Sequence, residues 1–327
     1  MVKKVQIRTG FIFIIFLIVF VSGCQTNTNK AAIKDTPKGT DGITINFLAN
    51  NPQDRYIISD VNEEPISIIL ELRNKGTYPQ GNEINEISRG QAYISGFDAN
   101  IMRISNPVER LKAQFLEGRS PINPEGGFDT LEFRGSISSS DLFVDKYEPT
   151  ILATLCYPYI TKAGPSVCID PFPFDEKQKK VCKIGSQTLS SQGAPIAITK
   201  IDQEASSNKI QFKISLKNLG KGDIIKLISL DKCSPVAGQN FDRNDFDRIE
   251  LVRAEAGSSA LNCGPFAEGT GIIRLNNGEG FIICSLDREN YQDIKSAYTT
   301  PINLEFRYGY RTTISKPITI SKISTIR

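Results

Sequence analysis

The chain contains no histidine and no tryptophan, and only two methionines among its 327 residues. Without histidine there can be no Ser-His-Asp or Cys-His nucleophile, no imidazole general base and no histidine-ligated zinc or iron. Long hydrophobic runs are also scarce. The longest, Phe11–Val21, has 11 residues, whereas a bilayer-spanning helix needs about 20. No CxxC pair occurs, which argues against a cysteine metal cluster, and neither G-x-S-x-G nor S-x-x-K appears around Ser138–Asp141. The composition is otherwise that of a globular protein. With 39% hydrophobic residues it can bury real cores, so wholesale disorder and a polytopic membrane protein are both excluded.

The most informative segment is the amino terminus. A basic stretch (Lys3, Lys4, Arg8) leads into the apolar run and closes on Ser22-Gly23-Cys24. That order is a secretory signal, and Val21-Ser22-Gly23-Cys24 also matches a prokaryotic lipobox, whose cysteine is acylated and becomes the mature terminus. Processing removes three basic residues and no acidic one. The mature chain then has 39 − 3 = 36 basic against 36 acidic residues, a net charge of zero. A neutral chain has no overall attraction for nucleic acid, and no nucleic-acid partner is expected. The spacing therefore predicts a lipoprotein signal peptide over 1–23 and a polar, flexible tether over 24–41.

Cysteine arithmetic points to export independently. Seven cysteines are an odd number for a secreted chain, but assigning Cys24 to lipid leaves Cys156, Cys168, Cys182, Cys233, Cys263 and Cys284 for three disulfides.

From Gly42 onward, apolar residues alternate with period two in short runs broken by Gly, Pro, Asn and Asp, the signature of half-buried antiparallel strands. The class is all-β with sandwich-like spacing. A short helix is expected over Asn106–Phe115, with Pro107 at its start, and a hairpin at Asn276–Glu279. Two stretches recur. Leu70–Gly76 matches Ile214–Gly220 at an offset of 144, and Tyr157–Thr161 matches Tyr308–Thr312 at an offset of 151. The repetition predicts two copies of one β-domain over 42–177 and 178–327, each able to fold alone.

The segments Ile69–Tyr78 and Phe212–Gly222, each a strand running into (R/K)-N-x-G, resemble the second strand of CARDB-type immunoglobulin-like domains. The layout of lipobox, tether, two such domains and the closing Ser296–Ile320 is similar to that of surface lipoproteins of small-genome archaea. The resemblance implies two tandem immunoglobulin-like β-sandwiches and a role in extracellular adhesion or scaffolding, and it carries no catalytic residues.

Other candidate features have bland explanations. Asp242–Asp247 gathers three carboxylates and an amide, but Arg243 and Arg248 neutralise it and the EF-hand pattern is absent, so it reads as a solvated loop. Ser138–Asp141 reads as a turn. Phe172-Pro173-Phe174 with Asp175–Lys180 reads as the connection between domains. Tyr157/Tyr159 and Tyr308/Tyr310 share a face with Ile302, Leu304 and Phe306, which makes them core residues before a carbohydrate platform. Alternation places Cys156 and Cys168 on the outer face, and a hairpin centred on Thr161–Ala163 would set them opposite each other as a disulfide. Cys263 with Cys284 and Cys182 with Cys233 is the preferred assignment of the rest. No metal or cofactor is implied.

Two functions follow. One is a non-enzymatic, lipid-anchored protein on the extracellular side of the cell membrane, engaged in adhesion, envelope scaffolding or binding of a surface protein or polymer. The other is a solute-binding or carbohydrate-active lipoprotein with its site between the two domains.

Overall fold

The computed structural model describes residues 38–59, 63–81, 83, 85–175, 177, 179–234, 240–269 and 271–323; the signal segment, Cys24 and most of the tether lie outside them. Residues 37–327 form one compact unit.

The alternating runs form strands as expected. In the first repeat these are β1 (Ile43–Phe47), β2 (Arg55–Ser59), β3 (Glu64–Asn74), β4 (Gln91–Ser95), β5 (Met102–Ile104), β6 (Val108–Arg110), β7 (Phe128–Ile137), β8 (Lys146–Tyr147), β9 (Thr150–Ala163) and β10 (Ser166–Ile169). The second repeat contributes β11 (Gln187–Thr188), β12 (Ile196–Ala205), β13 (Lys209–Asn218), β14 (Asp223–Ile225), β15 (Arg248–Ala256) and β16 (Ser259–Ala260). It continues with β17 (Asn262–Gly264), β18 (Ile272–Arg274), β19 (Glu279–Asp287), β20 (Tyr298–Pro317) and β21 (Thr319–Ile323).

Each repeat has an outer sheet of its own, β1-β3-β7-β5 in the first and β11-β12-β13-β19-β17 in the second. Both share a central sheet, β16-β15-β20-β9-β4-β6, and a small sheet β2-β21-β8 closes one end. The boundary near 177 therefore separates two repeats but not two bodies. The long strands β9 and β20 pair with one another from Thr150↔Pro317 to Ala163↔Leu304. Under the repeat correspondence the pairs Tyr157↔Tyr310 and Tyr159↔Tyr308 exchange, so a pseudo-twofold axis passes between Pro158 and Gly309. An axis normal to an antiparallel pair preserves the faces of the sheet. Both outer sheets accordingly cover the same face, over Ile151, Leu155, Tyr157, Tyr159, Leu304, Phe306, Tyr308 and Tyr310, all buried.

The hairpin expected at Thr161–Ala163 is absent. The chain runs straight on through Gly164 and Pro165, and β10 continues beside β20 in the same register, from Ser166↔Pro301 to Ile169↔Tyr298. Proline gives up one ladder donor, but the Pro165 carbonyl still accepts from the Ile302 N–H at 2.8 Å, and the line of pairing survives. The helix expected over Asn106–Phe115 is also absent. An isolated helix of that length is marginal, and the open edge of β4 captures the segment instead, as β6 paired with Gln91–Tyr93. Only a 3-10 turn, Ala113–Phe115, remains. The turn at Asn276–Glu279 does form: Asn277 and Gly278 take φ of 51° and 76°, as a two-residue turn of this type requires.

Candidate functional site

The pseudo-twofold seam is where a site between the repeats would lie, and it is filled. Residues i and i+2 of a strand share a face, so β9 and β20 bring Tyr157, Tyr159, Tyr308 and Tyr310 together. Tyr157 meets Tyr159 edge-on at 5.7 Å and Tyr310 at 5.8 Å, while Tyr78 joins Tyr159 at 5.5 Å. Each hydroxyl accepts from a main-chain N–H. Tyr157 takes that of Ile43 at 2.9 Å and Tyr308 that of Ile196 at 3.3 Å; Tyr159 takes that of Tyr78 at 3.3 Å and Tyr310 that of Gly222 at 2.6 Å. The matched Asn-x-Gly turns make the same bonds in both repeats. Asn74 Oδ1 accepts from Gly76 and Asn218 Oδ1 from Gly220, both at 3.1 Å, and each amide donates to the carbonyl four residues on. Burial pushes the Tyr310 phenol up to about 12 and raises those of Tyr157, Tyr159 and Tyr308 as well. These rings hold the two repeats together and offer no platform to a sugar.

Alternation placed Cys156 on the reverse face correctly, but its partner is Cys233, not Cys168. Because β10 prolongs β9, positions 156 and 168 lie on one line, roughly 40 Å apart at ~3.3 Å per residue. Cys233 ends a 3-10 turn, Leu227–Cys233, laid over the reverse face of the central sheet. There Tyr93, Cys156, Ile225, Leu230 and Cys233 form a second, smaller core. Cys168 bonds to Cys182, 14 residues on, which also replaces the expected Cys182–Cys233 bond. Cys263 bonds to Cys284 as expected, the two facing each other across β17 and β19. Cys24 lies outside the described residues.

The Asp242–Asp247 cluster is structural. Asp242 caps a short 3-10 turn, Arg243–Asp245, and the carboxylate of the buried Asp245 completes the capping box while accepting from Lys232 Nζ at 2.8 Å and from Ser229 Oγ at 2.6 Å. Burial pushes that carboxyl up, but these hydrogen bonds and the Asp242 N–H outweigh it and hold it below its ordinary value. The sequence reading as a solvated loop missed this anchor. Ser138 and Ser140 donate to Asp141 at 2.8 and 3.2 Å, and Arg103 holds the same carboxylate at 2.7 Å. The Ser138 hydrogen bond, with those of Ser140 and Arg103, lowers its pKa, which makes it a poor base for activating a serine. No group of three or more Asp, Glu or Cys residues among those described is placed to hold a metal ion.

Two arginines that the sequence did not single out organise the reverse face. Arg307 pairs with Glu250 and, across the repeats, with Glu86, both at 2.9 Å. Arg311 pairs with Asp223 at 2.6 Å and lies 5.1 Å from the ring centres of both Phe241 and Phe246. The only available signal was their position beside the paired tyrosines, with the opposite parity.

The cavities are open grooves. One of about 580 Å³ lies at the ends of β4 and β5, and its one ionisable lining residue, Arg103, is already paired with Glu63 and Asp141. Neither it nor a groove of about 370 Å³ beside Asp223 and Asp247 joins an unpaired carboxylate to a nucleophile. Phe172 and Phe174 are exposed, the latter at 74%, on the segment closed off by the Cys168–Cys182 bond.

No protein-family model and no curated protein matches the chain. Among solved structures, the C-terminal domain of the Streptococcus pyogenes antigen I/II-family protein AspA aligns with 86% of this chain and 98% of its own, at 8% identity and a TM-score of 0.16. A superposition that loose carries no argument about fold or activity.

Proposed function

We propose that this protein is a lipid-anchored, non-enzymatic surface protein that faces the extracellular side of the membrane and acts in adhesion, scaffolding or binding of a surface protein or polymer. The observation that carries this reading is the division of the cysteines. Six pair into three disulfides within the described body, and the seventh, Cys24, directly follows the apolar run of an export signal. Disulfides persist in oxidising compartments, and a lone cysteine at that position is the substrate of lipidation. The CARDB-like resemblance and the likeness to archaeal surface lipoproteins belong to the same proposal. The alternative of a solute-binding or carbohydrate-active lipoprotein has less support, because tyrosine rings and main-chain hydrogen bonds fill the seam between the repeats.

Intact mass and detergent partitioning of wild type and Cys24→Ser test the proposal. Wild type is expected to lack residues 1–23, to carry the added mass of a diacylglyceryl group and to enter the detergent phase, while Cys24→Ser stays aqueous. A water-soluble wild type, or one that retains residues 1–23, would overturn it.

A further inference from the structure

The chain carries two unpartnered apolar features at opposite ends of the twenty-residue strand β20, which spans roughly 65 Å at ~3.3 Å per residue. The first follows β10, beside the start of β20. Phe172, Phe174 and Val181 are 41%, 74% and 79% exposed on a loop that is held in several ways. The Cys168–Cys182 bond closes it, and Lys180 pairs with the buried Asp170 at 2.7 Å while also donating to the Phe172 carbonyl at 2.6 Å. Asp170 Oδ1 accepts from the Phe172 N–H at 2.9 Å, and the Asp175 N–H closes a turn on the Phe172 carbonyl at 3.0 Å. A disulfide and a buried ion pair thus hold apolar rings out in water, a pre-organised anchor of the kind that dominates protein interfaces. Over 170–183 lysine outnumbers carboxylate four to three.

The second feature lies at the other end, before β9, where Lys322 of β21 donates to the Leu142 carbonyl. An open cavity of about 300 Å³ is lined there by Ile101, Leu142, Phe143, Val144 and Tyr147 with two charged residues, Asp98 and Asp141, both acidic. Phe143 and Val144 are 93% and 55% exposed, and Asp145 beside them is exposed too.

We infer that the occupant of this cavity is the Phe174 loop of a second copy of the chain, head to tail. Apolar character and charge both point to it. An aromatic anchor with excess lysine meets an apolar cavity edged by Asp98 and flanked by the exposed Asp145, Asp141 being held by Arg103, and the two sit too far apart on one chain to meet internally. The contact is heterologous and leaves one free anchor and one free cavity on every pair, so it propagates into a ring or an open row. The inference does not depend on the lipid anchor.

Sedimentation velocity of the full chain across a concentration series tests it, together with a photo-crosslinking residue in place of Phe174 in an equal mixture of isotopically light and heavy protein. Association that rises with concentration is expected, weakened at least tenfold by either Phe174→Asp or Val144→Asp, with mixed light-heavy crosslinks landing in 98–101 or 141–147. Far-UV circular dichroism confirms that both variants stay folded. A chain that stays monomeric, association indifferent to both substitutions, or crosslinks that join position 174 to its own counterpart would each overturn the inference. So would a monomer that binds phosphatidylglycerol vesicles through Phe174 instead.

Discussion

Asn74 and Asn218 occupy matching places in the two repeats but not matching environments. Asn74 is fully buried; it donates to the carbonyls of Tyr78 and Leu116 and accepts from the Tyr159 hydroxyl and the Gly76 N–H. Asn218 is half-buried and makes two of these bonds. Losing a buried amide strands its partners without water, whereas at Asn218 water can replace it. Asn74→Ala is therefore expected to cost about 2–4 kcal/mol and Asn218→Ala about 1 kcal/mol, read from urea midpoints at unchanged slope. The tyrosines set an alkaline limit. The phenols of the buried tyrosines are raised above the ordinary value of 10.0, to about 12 for Tyr93 and Tyr310, so above pH 10 the unfolded chain releases protons that the folded one keeps. Stability is then full below pH 10 and falls as pH rises toward 12. Absorbance at 295 nm should show most phenols ionising together with the loss of circular dichroism; independent titration near pH 10 in folded protein would contradict this.

Strands were legible in the sequence because alternation is a local property, written along each run in Ile43–Phe47 and Ile302–Tyr310. Partners were not, since every strand offers the same N–H and C=O edge. Gly164-Pro165 carries the signature of a turn, yet twenty residues of β20 are there to be paired, and continuity wins over the hairpin. Misplacing that one turn also misplaced two disulfides, although the outward direction of Cys156 was correct. The bonds differ in what they close. The 77-residue separation of Cys156 and Cys233 confines the unfolded chain more than the 14 residues between Cys168 and Cys182. Replacing the first pair by alanine is expected to cost about 4 kcal/mol and the second about 3 kcal/mol. Denaturation of the two double variants should show that order.

At the scale of the whole molecule, the duplication was visible in the Asn-x-Gly and Tyr-x-Tyr matches, but the way the copies combine was not. Two repeats in tandem and two repeats sharing a sheet give the same sequence pattern. The difference lies in whether β9 and β20 face water or one another. Since they pair over their length, residues 42–177 or 178–327 alone would expose a long strand edge and a row of tyrosines. Neither half is expected to melt cooperatively by itself, while residues 38–323 in the intact chain unfold in one calorimetric transition. Two separate transitions would restore the view of independent domains. The two repeats fold into one body, and Cys156–Cys233 crosses between them. A non-reducing peptide map of the native protein tests this most directly. Cys156 joined to Cys233, Cys168 to Cys182 and Cys263 to Cys284, with no free thiol in the body, is the predicted result; reduced cysteines, or Cys156 joined to Cys168, would contradict it.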